Sequence, residues 1–214
     1  SQTARKHTAK KTKKLSTHTY SANSPTPTPP AHTNNSQQKT QTNIFKSVLL
    51  IFFGSLILTL SAKIQTPYAP VPTTMQTFAV LLLGMSLGYK LATITVVVYL
   101  IEGMLGMPVF AKGGGIIYLT GPTSGYLFGF IFASFAAGFL KKDSSYFYVF
   151  FYLLFSVSII YIIGLLWLWN FIGLEKNFVD IFNIGAKPFL LVEFYKLLIL
   201  TILSSQILKL RKFI

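Results

Sequence analysis

Residues 146–169 read YFYVFFYLLFSVSIIYIIGLLWLW, with no charged side chain among them. A helix needs about 20 apolar residues to cross a bilayer, and this run reaches that length. It has no polar face, so it cannot be the half-solvated helix of a water-soluble domain. Five more apolar runs occur along the chain. They cover residues 44–62 (apart from Lys46 at the start), 74–87, 91–107, 125–140 and 186–208. The runs at 74–87, 91–107 and 125–140 are short. They can span a membrane only if their ends are buried inside a bundle. The pattern predicts an all-α integral membrane protein, a six-transmembrane-helix bundle over residues 44–214. Composition agrees, since the 214-residue chain is 52% hydrophobic and only 11% charged, against roughly a quarter charged in soluble domains.

Residues 1–43 differ in kind. They carry Arg5, Lys6, Lys10, Lys11, Lys13, Lys14 and Lys39, no acid, and the stretches SPTPTPP (24–30) and NNSQQ (34–38). So little apolar surface cannot offset ordering entropy, and the segment is expected to be a disordered basic tail. Two roles fit it: a solvated extension, or a polybasic arm for anionic lipid or nucleic acid. A transit peptide is disfavoured by the single arginine and the missing amphipathic stripe. The net charge of +14 then reads as topology. With the N-terminus in the cytoplasm, that side holds Lys46, Lys90, Lys141, Lys142, Lys209, Arg211 and Lys212, while the outer side holds only Lys63, Lys112, Lys176 and Lys187. The bias predicts a multi-pass plasma-membrane protein with both termini cytoplasmic. Its surroundings are membrane lipid, and no nucleic-acid partner is called for.

The chain has no cysteine, and His7, His18 and His32 all lie in the tail. The body therefore offers no His or Cys for a nucleophile–base pair or a metal site, which argues against an enzyme. No Gly-x-x-x-x-Gly-Lys-Ser/Thr phosphate loop occurs, so ATP hydrolysis is not expected either. Three features stand out. The first is the glycine-rich loop GMPVFAKGGG (106–115), followed by GPTSGY (121–126), where Thr123 or Ser124 is an expected helix N-cap. The second is charge within apolar runs: Glu102, Glu193 and Lys196. Such charges are costly in a bilayer and face a cavity or a partner. Glu193 and Lys196 are three apart and share a helix face. They form either a self-neutralising ion pair or a polar pair aimed at a ligand. Glu102 either holds another helix by a hydrogen bond or contributes to a site. The third is the stiff turn PYAPVPT (67–73), which leads into Gln76.

These stretches together resemble a known family. PVPTTMQT (70–77) with Ala79-Val80-Leu81 resembles the entry to helix two of BioY proteins, the biotin-binding S components of energy-coupling-factor (ECF) transporters. Tyr99-Leu100, Gly103 and GMPVFA (106–111) with the glycine run are similar to that family's third helix and loop. GPTSGYL (121–127) with Gly129-Phe130 is similar to its GPTGGYL-GF stretch, Ser124 replacing the first of the paired glycines. Pro188-Phe189-Leu190 with Glu193 and Lys196 resembles the last-helix PFLPGD-x-x-K motif, with Leu191-Val192-Glu193 in place of Pro-Gly-Asp. The resemblance runs from about residue 45 to about 208.

It implies a six-helix S component that binds biotin as cargo, needs no cofactor, and uses the loop between helices three and four as part of the site. Its implied partners are a transmembrane T component and two ATP-binding-cassette ATPases. A related S component or solo facilitator for another vitamin is the alternative. The implied ligand residues are Glu193 and Lys196, with Glu102, Gln76, Phe110, Gly113, Gly114, Gly115 and Tyr126 as further candidates. A ureido ring has two N–H donors around one carbonyl, so a carboxylate and an ammonium can read both through charge-assisted bonds. Lys196 pairing with the ligand's carboxylate is the other assignment, and the ureido one is preferred. T-component docking in the family uses small residues of helix one, which points to Ser55 and Thr59, four apart.

Overall fold

The computed structural model describes residues 32–66, 71–173 and 176–211, with side chains from residue 44. Residues 39–214 form a compact unit. The first helix, α1 (His32–Lys63), begins ahead of the expected boundary at residue 44. Residues 1–31 of the expected tail and 67–70 of the proline-rich turn lie outside the described residues.

After α1 a two-residue antiparallel hairpin pairs β1 (Gln65–Thr66) with β2 (Thr73–Thr74). Then comes α2 (Gln76–Met104), broken at Gly88, whose φ of 79° and ψ of 168° are not helical. A straight helix would hold Gln76 and Tyr99 roughly 35 Å apart at 1.5 Å per residue. Their side chains are hydrogen-bonded at 2.7 Å, so the chain doubles back at Gly88. The expected helices 74–87 and 91–107 are thus the two antiparallel arms of one hairpin. Glycine suits the turn because φ near +79° disfavours L side chains.

The remaining elements are α3 (Ile116–Leu119), α4 (Ser124–Ala137), α5 (Tyr146–Ile172), α6 (Phe178–Gly185), a 3-10 turn at Lys187–Phe189, and α7 (Leu190–Leu210). Sequence patterning missed α6, a short helix with Asp180 in its first turn. Among the described residues, four stretches are long and apolar enough to cross a membrane: Ile44–Lys63, Gln76–Met104, Tyr146–Ile172 and Phe178–Leu210. Because α2 doubles back at Gly88, its stretch is two short arms and not one continuous span; with several apolar helices beside it, the body is a multi-pass membrane bundle.

Helix α4 sits between α2 and α5 because its contact faces are small. A methyl group added at Gly129 would come within 2.8 Å of the Ile160 backbone on α5. One added at Gly84 on α2 would come within 2.7 Å of the Ala137 methyl on α4. Close backbone approach of this kind drives helix association where water exclusion cannot. Ala133 and Ser134 of α4 and Leu153, Ile160 and Leu168 of α5 have no measurable exposure. The expected side-chain cap at the start of α4 is absent. The Ser124 hydroxyl instead donates back to the Gly121 and Tyr118 carbonyls.

Candidate functional site

Glu193 lies in the first turn of α7 and Lys196 in the second, rather than mid-helix. Pro188 in the preceding 3-10 turn sets that start. A carboxylate here gains from the positive end of the helix dipole. The N-terminal turn of α2 meets the pair. Glu193 Oε1 accepts from Lys196 Nζ at 2.7 Å and from the Thr77 hydroxyl at 2.8 Å. The ammonium also donates to the Thr74 carbonyl at 2.7 Å and to the Thr77 hydroxyl at 2.9 Å. An ammonium has three N–H bonds, and all three are taken. Both side chains are buried, at 5% and 3% exposure. The other carboxylate oxygen, Glu193 Oε2, is buried with no hydrogen-bond partner, as is Thr73 Oγ1. The Tyr161 phenol of α5 lines the same cleft and lies beside this carboxylate, but its O–H makes none of the described hydrogen bonds to Oε2. A buried acceptor left unpaired is costly, so this half of Glu193 can take a donor from a ligand, with Tyr161 as its neighbour in the protein.

A narrow cleft lies against these groups. Its polar side includes Thr73, Gln76, Thr77, Tyr161 and Glu193, and its apolar side includes Leu127, Phe130 and Ile160. Gln76 Nε2 donates to the Tyr99 hydroxyl at 2.7 Å. The cleft shares Pro72, Tyr118 and Thr123 with an outer mouth lined by Lys112 and Gly114. Two bonds tie the end of α1 and the β1–β2 hairpin to the glycine-rich loop: Lys63 Nζ donates to the Phe110 carbonyl at 2.7 Å, and Gln65 Nε2 to the Ala111 carbonyl at 2.9 Å.

The sequence-derived candidates sort unevenly against this geometry. Gln76, Tyr126 and Glu193 line the cleft. Tyr126 is also structural, since its hydroxyl donates to the Gly185 carbonyl at 2.9 Å. Lys196 borders the cleft through Glu193 and Thr77 and itself lines a neighbouring cavity beside the hairpin. Phe110 is no cleft residue. It is fully buried, stacked on Tyr118 at 5.0 Å and edge-on to Tyr99 at 5.5 Å, where it plugs the space over Gly103. The three glycines shape the loop. Gly113 pairs with Phe110 at φ +128°, and a Cβ on Gly114 would strike the Met107 carbonyl. The Gly115 N–H donates to the Gly103 carbonyl at 2.7 Å, and only Gly114 reaches the mouth.

Glu102 is likewise absent from the cleft: it accepts a hydrogen bond from the Ser55 hydroxyl on α1. That bond also corrects the docking assignment. Ser55 is 3% exposed and turned inward, so it offers no face to a partner subunit. Thr59 is half-buried, with its hydroxyl donating to the Ser55 carbonyl at 3.0 Å. Residue patterning missed Thr73, Thr74, Thr77, Tyr99 and Lys112. Threonine is common and short, and these positions acquire meaning only once α7 is laid against the start of α2.

The BioY family model matches residues 33–213. A probable biotin transporter BioY of Pyrococcus horikoshii is 36% identical over 163 residues, which is 76% of this chain and 96% of that one. The biotin transporter BioY of Thermotoga maritima is 36% identical over 161 residues, 74% of this chain and 92% of that one. A crystal structure of the S-component for biotin from an ECF-type ABC transporter superposes with a TM-score of 0.65 at 25% identity. It covers 83% of this chain and 94% of that chain.

Proposed function

The chain belongs to the BioY family, and on that premise we propose that its cleft binds biotin and that it serves as the substrate-binding S component of an ECF-type transporter. It is a transport protein and not an enzyme. ATP hydrolysis falls to two ATP-binding-cassette subunits, which a transmembrane T component couples to this chain.

The observation that carries the biotin reading is the unpartnered Glu193 Oε2 at the wall of the cleft. Biotin's ureido ring supplies the N–H donor it lacks, and a charge-assisted bond there is stronger than a neutral one. Lys196 has no N–H left for the ureido carbonyl. Its role is to pair with Glu193 and fix the orientation of the carboxylate. The carbonyl falls instead to Gln76, which faces the same cleft. The bicyclic ring and alkyl chain suit the apolar wall of Leu127, Phe130 and Ile160. The ligand's carboxylate then reaches the mouth, where exposed Lys112 stands.

Titration of the purified chain with biotin, followed by heat, tests the reading: saturable binding below micromolar ligand is expected, and none at micromolar ligand sinks it. Biotin methyl ester sharpens the result. It should bind less tightly than biotin to the wild type, and Lys112→Ala should discriminate little between the two.

The basic-residue bias supports a topology with both termini in the cytoplasm. The chain has no cysteine, so single cysteines are clean topology probes. A cysteine at residue 142 should react with impermeant maleimide only from inside, and one at residue 112 only from outside.

A further inference from the structure

Gln76 is 4% exposed, in the first turn of α2. Its amide has a donor end and an acceptor end, and its neighbours decide which is which. The Val109 carbonyl can only accept, so the Tyr99 hydroxyl donates to it, at 3.0 Å. With its one proton committed, that hydroxyl can only accept from Gln76, and the donor end Nε2 stands there at 2.7 Å. On the other side, the Thr74 hydroxyl accepts from the Gln76 backbone N–H and donates to Oε1, both at 3.2 Å. The amide is held one way round. Its second Nε2 proton has no protein partner among the described bonds. Tyr99 is fully buried, edge-on to Phe110, and does not line the cleft.

We propose that Tyr99 is a positioning residue that fixes the orientation of the Gln76 amide, so that the cleft meets its ligand with an N–H at that point and selects a cyclic urea over a cyclic guanidine. This rests on reading the cleft as a biotin site. Glu193 Oε2 offers an acceptor and Gln76 Nε2 a donor, the two functions a ureido edge requires. The guanidine analogue 2-iminobiotin keeps the ring N–H groups but carries an N–H in place of the carbonyl oxygen, so donor meets donor. Turning the amide over in the wild type would make Tyr99 donate to Gln76 and strand the Val109 carbonyl. Tyr99→Phe removes that obstacle while keeping the ring and its packing.

The test compares the affinities of purified wild type and Tyr99→Phe for biotin and for 2-iminobiotin. Loss of one buried hydrogen bond should weaken biotin about tenfold. The analogue should lose much less, so the preference for biotin should shrink by about fivefold or more. Any extra attraction of the guanidinium to Glu193 is common to both proteins and cancels in this ratio. A purely structural role for Tyr99 would lower both affinities by the same factor, and an unchanged ratio overturns the proposal. Should Tyr99→Phe fail to fold, Gln76→Met carries the test. It removes the donor without adding a charge that would itself attract the guanidinium: the preference for biotin should shrink, and a retained preference overturns the proposal equally. Absence of saturable biotin binding by the wild type would overturn the biotin reading itself, an outcome distinct from an unchanged ratio.

Discussion

Glu102 and Glu193 are both carboxylates within apolar helices, and each takes a hydroxyl from another helix: Ser55 for Glu102, Thr77 for Glu193. The difference lies in what else each touches. Glu193 carries a lysine on one oxygen, while the other makes none of the described hydrogen bonds and has the Tyr161 phenol as its neighbour, and it lines a cleft. Glu102 is half-buried, has no salt bridge among the described residues and lines no part of that cleft. The same residue type in the same kind of environment thus serves two ends. One acid is oriented by its partners and left half-available. The other fastens α1 to the second arm of α2. An intramembrane charge marks a place where something must pair with it; whether a ligand or a helix does so depends on the tertiary neighbours.

The largest effect should come from Glu193→Gln. It replaces an acceptor-only group by an amide and leaves Lys196 without its counter-charge. Losing a charge-assisted bond of roughly 2–4 kcal/mol predicts a drop in biotin affinity of about 30- to 1,000-fold, read by titration. Wild-type affinity in this variant would erase the contrast between the two acids. Lys196→Met should come next. It acts through Glu193, so biotin and its methyl ester should lose affinity by similar factors. Because it strands a buried charge, it should also destabilise the fold by about 3–5 kcal/mol, seen as a lower thermal midpoint. Selective loss of biotin over the ester would instead place the lysine at the ligand's carboxylate.

How much of this was legible beforehand depends on sequence separation. The pair at 193 and 196 is local, so helical spacing alone brings it together. The apolar runs were legible because their length is set by the bilayer. What holds the pair was not: Thr74 and Thr77 lie 122 and 119 residues from Lys196. Glu102 and Ser55 are 47 apart, and small residues four apart read equally well as an outward docking face or an inward seam. Phe110 was misjudged because an aromatic beside a glycine loop suits a ligand wall as well as a core plug, and only the rings of Tyr99 and Tyr118 against it decide.

Smaller effects sharpen the comparison from the other side. Glu102→Gln keeps an acceptor for Ser55, so biotin affinity should stay within about threefold. Stability should fall by about 1 kcal/mol, the scale of an interhelical hydrogen bond in a membrane. A large loss of binding would move Glu102 into the site. Ser55→Trp belongs with the fold and not with docking. The buried position has no room for an indole, so folding yield and binding should fall together. Smallest of all is deletion of residues 1–31, whose composition offers nothing to bury; affinity and thermal midpoint should not change.

The central claim is that the free oxygen of Glu193 receives an N–H from the ligand. A chemical double-mutant cycle tests it most directly: affinities of wild type and Glu193→Gln for biotin and for biotin methylated in turn at each ureido nitrogen. One of the two methylations should weaken wild-type binding strongly and the variant's hardly at all, giving a large coupling between that nitrogen and Glu193. Additive effects at both nitrogens would contradict the account.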